Sequence, residues 1–234
     1  MDIEALAARL RGKFVVLDGP DGCGKTTQMQ RLLDTLTAAG LDVLRLREPG
    51  GTAIGEQIRE LLLTPKGEGM DVRCEMLLYM ASRAQLVQQQ IKPALAAGQF
   101  VLSDRYVSST LAYQGAGGGL STKGIYDVAE VAVNGVWPDV TFIFDLPIDV
   151  AMARLVPDPG KKANGKAGRT VHTSQPGLFS DRIEQRDRDY HRRVREGYLA
   201  QVANNCERFR LIDASGAIDA VQAQLLRELA AFVR

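Results

Sequence analysis

Cysteine is scarce in this chain of 234 residues: Cys23, Cys74 and Cys206 lie far apart, with no C-x-x-C pair. That excludes a disulfide framework and a thiolate zinc site, and makes reduced thiols in a cytoplasmic protein the expectation. Long apolar runs are missing too. No segment approaches the roughly 20 apolar residues of a membrane-spanning helix, and Met1-Asp2-Ile3-Glu4-Ala5-Leu6 is too acidic and too short of apolar residues for a signal peptide. Neither charge sign is in excess. Lys+Arg 29 against Asp+Glu 28 leaves a net +1, so nothing draws the chain generally to nucleic acid or membrane, and recognition has to be local. His172 and His191 have no supporting constellation, and no internal repeat appears. What is present, 45% apolar and 24% charged residues, suits one α/β domain with a sizeable core.

One stretch organises the rest. Phe14-Val15-Val16-Leu17-Asp18 is an apolar run ending in Gly19-Pro20-Asp21-Gly22-Cys23-Gly24-Lys25-Thr26-Thr27, which reads G-x-x-x-x-G-K-T, and an amphipathic helical pattern follows. Glycines at 19, 22 and 24 let successive N–H groups turn onto phosphate oxygens. The helix start adds the positive end of its dipole. Lys25 is placed to reach the β- and γ-phosphates, and the Thr26 hydroxyl to ligate Mg²⁺. The stretch predicts a triphosphate donor site and leaves the acceptor open.

Along the chain, residues 3–11 read as a lead-in with weak helical periodicity. Strands are expected at about 13–18, 41–46, 100–104, 138–145 and 209–213. Helices are expected at 25–39, 53–63, 72–97 with a bend at Pro93, 121–134, 148–155, 181–203 and 216–233. A further helix carries Ser108 to Gln114 and leads into a flexible loop at Gly115-Ala116-Gly117-Gly118-Gly119. Residues 156–180 hold three prolines, four glycines and four basic residues and read as a mobile loop within the domain. Arg186, Arg188, Arg192, Arg193 and Arg195 alternate with acids, as on a solvated helix face. Alternating strands and helices predict a parallel sheet covered on both faces, with sites at the strands' carboxyl ends.

Several further motifs accompany the phosphate loop in a distinctive order: Arg47-Glu48-Pro49-Gly50-Gly51-Thr52, then Tyr79…Arg83-Ala84-Gln85, then Asp104-Arg105-Tyr106 with Ser109…Ala112-Tyr113-Gln114-Gly115, and late Asp181-Arg182-Ile183-Glu184. This arrangement resembles the thymidylate kinases, over nearly the whole chain and most weakly in 156–180. The resemblance implies a P-loop NTPase three-layer sandwich: a five-stranded parallel sheet, helices on both faces, and one domain over 1–234 with 156–180 as an extended lid insertion. It implies phosphorylation of dTMP to dTDP with ATP and Mg²⁺, a step towards dTTP, and a homodimer built through helix faces such as 72–91. Another nucleoside monophosphate kinase is the nearest alternative; a nucleotide-switched binding protein is a more distant one.

Roles follow from the resemblance residue by residue. Gly19 to Thr27 would hold ATP, and Thr26 with Asp104 the metal. Lys25, Asp104, Arg105, Arg154 and Arg182 would be catalytic. Arg47 and Arg105 would clamp the acceptor phosphate, as a planar fork of donors suits. Tyr79 would stack on thymine, Arg83, Thr110 and Gln114 would address the base edge, and Tyr113 would pack on the sugar. Asp21 would accept from the 3′-hydroxyl, while Glu48, Pro49 and Ser109 complete the dTMP site. Eukaryotic-type members carry an arginine where Gly22 stands. Its absence resembles the bacterial type, in which lid arginines supply the charge, and puts Arg154 and Arg182, with Arg169 behind them, in that role.

Overall fold

The computed structural model describes residues 2–155 and 182–233. The expected lid, with Arg169 and Asp181, lies outside them. Five parallel strands form the sheet: β1 (Phe14–Asp18), β2 (Val43–Arg47), β3 (Phe100–Asp104), β4 (Val140–Asp145) and β5 (Phe209–Asp213), in the order β2-β3-β1-β4-β5. β1 is central and wholly buried, which is why its sequence reads as a continuous apolar run.

Its side chains nevertheless alternate between two cores. Val15 and Leu17 pack with Leu6 and Leu10 of α1 (Ile3–Leu10), Met29, Leu32 and Leu36 of α2 (Lys25–Ala38), and Leu225 and Leu229 of α10 (Ile218–Phe232). Phe14 and Val16 face the other way, onto Met76 and Met80 of α4 (Val72–Leu86), Ala94 of α5 (Lys92–Ala96) and Val133 of α7 (Thr122–Val133). Burial of each large apolar side chain contributes about 1.5–3 kcal/mol. The result is the three-layer sandwich.

Local signals set the boundaries. Thr52, Asp71 and Ser121 accept backbone N–H groups at the starts of α3 (Ala53–Leu63), α4 and α7. The long helix expected over 72–97 is interrupted at Val87–Ile91 by a π-helical turn ahead of Pro93, since proline has no N–H for the regular ladder. The helix expected from 181 begins seven residues later, as α9 (Arg188–Asn204). Asp187 caps it by accepting Tyr190 N–H at 2.7 Å, and residues 182–185 are turns followed by a bend at Arg186.

The glycine-rich stretch after α6 (Val107–Thr110) is not the flexible loop expected. Leu111–Gly117 continues the helix as π-helical turns, with Gly115 and Gly117 buried. A Cβ on Gly117 would lie 2.7 Å from the Tyr190 ring, and one on Gly197 2.5 Å from Ala116 Cβ. Glycine here permits two helices to touch, so a run that resembles a loop is a packing surface.

Candidate active site

The strands carry functional residues to one edge at a common level. In the register, Leu17 and Arg47 both lie opposite Asp104, so the ends of β1, β3 and β2 open together into a cleft of about 450 Å³.

Its donor half is the turn from β1 into α2. Gly19, Gly22 and Gly24 have φ of +142°, +76° and +92°, values that other residues reach only at a cost. Gly22 has no room either: a Cβ would sit 2.4 Å from the carbonyl oxygen of Ala151 in α8 (Ile148–Leu155). Lys25 is buried, and its ammonium donates to the carbonyl oxygens of Gly19 at 2.8 Å and Pro20 at 2.9 Å. Gly22, Gly24, Thr26 and Arg154 line the same cleft. Gly19, Pro20, Cys23 and Thr27 do not; Cys23 faces the core, where burial pushes its thiol up despite the nearby Lys25.

At the centre, Arg105 holds a left-handed backbone, φ +74°. Its guanidinium pairs with Asp21, donates to Ser109 Oγ at 3.1 Å and lies 3.6 Å from Asp18. It also stacks on the Tyr113 ring, 5.1 Å from the centroid. Tyr113 in turn donates to Asp21 at 2.6 Å. Burial alone would raise the Asp21 pKa, but Arg105, Lys25 and the Tyr113 hydroxyl outweigh it and hold the carboxyl below its ordinary value.

Behind Arg105 lies a carboxylate absent from the expected site. Asp18, fully buried, accepts from Gly19 N–H at 2.8 Å, Ser109 at 2.7 Å and Tyr198 at 2.6 Å, and also from Ser108. It ties the phosphate loop to α6 and α9. Its one sequence signal is a charged residue closing an otherwise apolar strand.

The acceptor half comes from β2, α4 and the α6 region. Glu48, Pro49, Tyr79, Thr110, Tyr113 and Gln114 line the cleft as expected, and Arg59, Leu63, Ile183 and Glu184 join them. Arg83, expected at the base edge, is set behind the wall, 1% exposed. It forms a 2.6 Å ion pair with Glu48 and donates to Thr110 at 3.3 Å. Burial pushes the Glu48 carboxyl up, and Arg83 only partly opposes this. Arg47 stands exposed at the rim, 3.0 Å from Glu56, which also accepts Gly51 N–H at 2.7 Å.

Arg182 is the largest departure. Expected to supply charge to the reaction, it does not line the cleft. It donates instead to buried Glu75 at 2.5 Å and to the Leu62 carbonyl at 3.1 Å. Arg186 meets the same Glu75 oxygen at 2.7 Å and stacks 4.5 Å from the Tyr190 centroid, while Arg195 grips Asp145 through two bonds of 2.7 and 2.8 Å. The basic run is therefore partly structural rather than a solvated face. Arg154 remains at the cleft, its Nη1 4.0 Å from where a Cβ on Gly24 would lie.

The family model for thymidylate kinase matches residues 17–225. The chain belongs to the thymidylate kinase family. Full-length relatives agree: it is similar to the thymidylate kinase of Exiguobacterium sibiricum, 40% identical with 96% of this chain and 97% of that protein aligned. It is 43% identical to that of Alcanivorax borkumensis, over 93% and 96% of the two chains. Among solved structures it resembles a thymidylate kinase from Ehrlichia chaffeensis, with TM-score 0.69 and 29% identity over 93% of this chain and 98% of that one. The family is one of phosphotransferases, and one cleft brings the glycine-rich loop together with side chains from β2, α4 and the α6 region.

The donors near the loop fit a magnesium ion carried by a nucleotide. Asp104 lines the cleft with Oδ1 buried and without a hydrogen-bond partner among the described residues, and Thr26 offers a hydroxyl. No group of three or more His, Cys, Asp or Glu among the described residues forms a protein cage for a metal. Magnesium characteristically uses few protein ligands, retaining waters and phosphate oxygens.

Proposed function

We propose that the chain transfers the γ-phosphoryl group of ATP to the 5′-phosphate of dTMP, giving dTDP and ADP. The observation that carries this reading is a single cleft lined both by the Lys25 loop and by Glu48, Tyr79 and Gln114, with Arg105 between them. A nucleotide-switched binding protein needs no such pocket.

An acceptor phosphate oxygen forms the new bond to the γ-phosphorus as the bond to the β,γ-bridging oxygen breaks. That phosphate has a second pKa near 6, so it is mostly dianionic at pH 7 and needs no general base. The protein's work is alignment and charge neutralisation. Lys25 and Arg154 stand on the donor side, Arg47 and Arg105 on the acceptor side. Thr26 and Asp104 would hold Mg²⁺, which supplies further charge neutralisation on the phosphates. Asp21 is held ionised and aimed with Tyr113 at the position of the acceptor sugar, while Tyr79, Thr110 and Gln114 surround the base.

We place the enzyme in the cytoplasm. No described helix is long and apolar enough to cross a membrane. A homodimer fits the apolar residues left exposed on adjoining helices, Leu77 on α4 and Ile54 and Leu61 on α3. Coupled ADP-release assays with a panel of nucleoside monophosphates test the reaction: dTMP is the preferred acceptor, and absence of turnover with dTMP overturns the reading.

A further inference from the structure

Glu75 has a place in the acceptor pocket although it does not line it. Its side chain is fully buried on α4, and its two oxygens face different ways. Oε1 accepts the amide nitrogen of Gln114 at 2.8 Å, and Oε2 accepts Arg182 at 2.5 Å and Arg186 at 2.7 Å. A carboxylate flanked by two guanidinium groups is an acceptor only. The Gln114 group facing it therefore has to be the NH₂, whichever way an isolated amide would settle. Because the amide is planar, its carbonyl oxygen lies on the branch turned away from Glu75. Gln114 itself lines the cleft and is 2% exposed, with little freedom to turn.

We infer that Glu75 is a positioning residue for base selection: it fixes the Gln114 amide so that a carbonyl acceptor is presented to the pyrimidine edge. Such an edge accepts a base with an N3–H donor and rejects one whose N3 is an acceptor. The proposal rests on the dTMP reading above and adds the origin of discrimination against 4-amino pyrimidines. The two arginines engage Glu75 Oε2, which leaves Oε1 for Gln114, and so take part in base selection without touching the base.

The test compares dTMP with 5-methyl-dCMP, which share the methyl group, sugar and phosphate and differ only at the N3 and C4 edge. In the wild-type enzyme, kcat/KM is expected to favour dTMP strongly. Glu75→Gln nearly preserves shape but can also donate, which frees the Gln114 amide to turn. The expected result is a fall of about tenfold or more in the dTMP to 5-methyl-dCMP ratio, the scale of one inverted hydrogen bond. An unchanged ratio, with both substrates slowed equally, assigns Glu75 a merely structural role and overturns the inference.

Gln114→Met keeps Glu75 and its two arginines in place, so it tests the same acceptor should Glu75→Gln fail to fold. It lowers the ratio to a similar extent; a ratio that survives overturns the proposal. In the double variant the two effects are not additive if Glu75 acts through Gln114, and full additivity also refutes it. Failure of the underlying reading is distinguishable: there the wild-type enzyme itself shows no preference for dTMP.

Discussion

The two halves of the cleft are built by different means. The donor half is mostly main chain: one continuous turn, three glycines at positive φ and a single lysine folded over its own loop. The acceptor half is a set of side chains from distant elements, held by ion pairs such as Arg83–Glu48 and by the Asp18 and Glu75 networks. A main-chain site fails when a side chain is added where none fits. A side-chain network fails when one partner is removed and a buried charge is stranded.

Lys25→Ala should have the largest effect, lowering kcat by about 10²–10³ or more, because transition-state charge on the phosphoryl group loses its fixed cation. Single-turnover kinetics with folding checked by circular dichroism would read this, and a change of less than tenfold would remove Lys25 from catalysis. Gly22→Ala comes next and separates the halves. It places a Cβ against the Ala151 carbonyl at a strained φ, and should cost about 1–3 kcal/mol in urea unfolding with donor affinity impaired. Wild-type stability and ATP affinity in that variant would mean the loop is more pliable than its backbone indicates.

On the acceptor side, Arg47→Ala should raise KM for dTMP about tenfold while leaving KM for ATP near its starting value. The exposed pair with Glu56 adds less than about 1 kcal/mol to stability, so Tm should barely move; equal effects on both substrates would refute the clamp. The smallest effect concerns acid stability. Asp21 has a lowered folded pKa, so its stabilising contribution is present above the unfolded value of about 3.9 and is lost as pH falls through the folded one. Asp21→Asn should flatten the acid limb of the stability profile in that window, and an unchanged limb would deny the linkage.

The same contrast governs what was legible in the residues alone. The phosphate loop is contiguous, and Lys25 meets the carbonyl oxygens of Pro20 and Gly19 only five and six positions away. The five-stranded parallel sheet also followed, because apolar runs alternate with helical periods; its strand order did not. Asp18 gave little sign of its importance, since its partners Ser108 and Tyr198 come from α6 and α9. Glu75 carried no signal of its own, since Arg186, which pairs with it, comes 111 residues later. Arg182 was misplaced for the same reason: a guanidinium goes where its carboxylate is, and that carboxylate could not be located from spacing. The glycines at 115 and 117 misled in the opposite sense, because freedom of backbone and closeness of packing call for the same residue.

The strand register makes the sheet a ruler for the reaction. Arg47 lies across from Asp104, and Arg105 follows directly at a left-handed turn, so the backbone positions of the two proposed clamps are tied to an interstrand spacing of about 4.8 Å. A one-residue insertion within β2 or β3 would turn each following side chain to the opposite face and separate the clamps. The opposite edge of the sheet is under no such restriction. Gly12 and Gly98 sit there in open turns, with little or nothing pressing on them, so changes in chain length among relatives should collect at that edge and leave the strands unaltered.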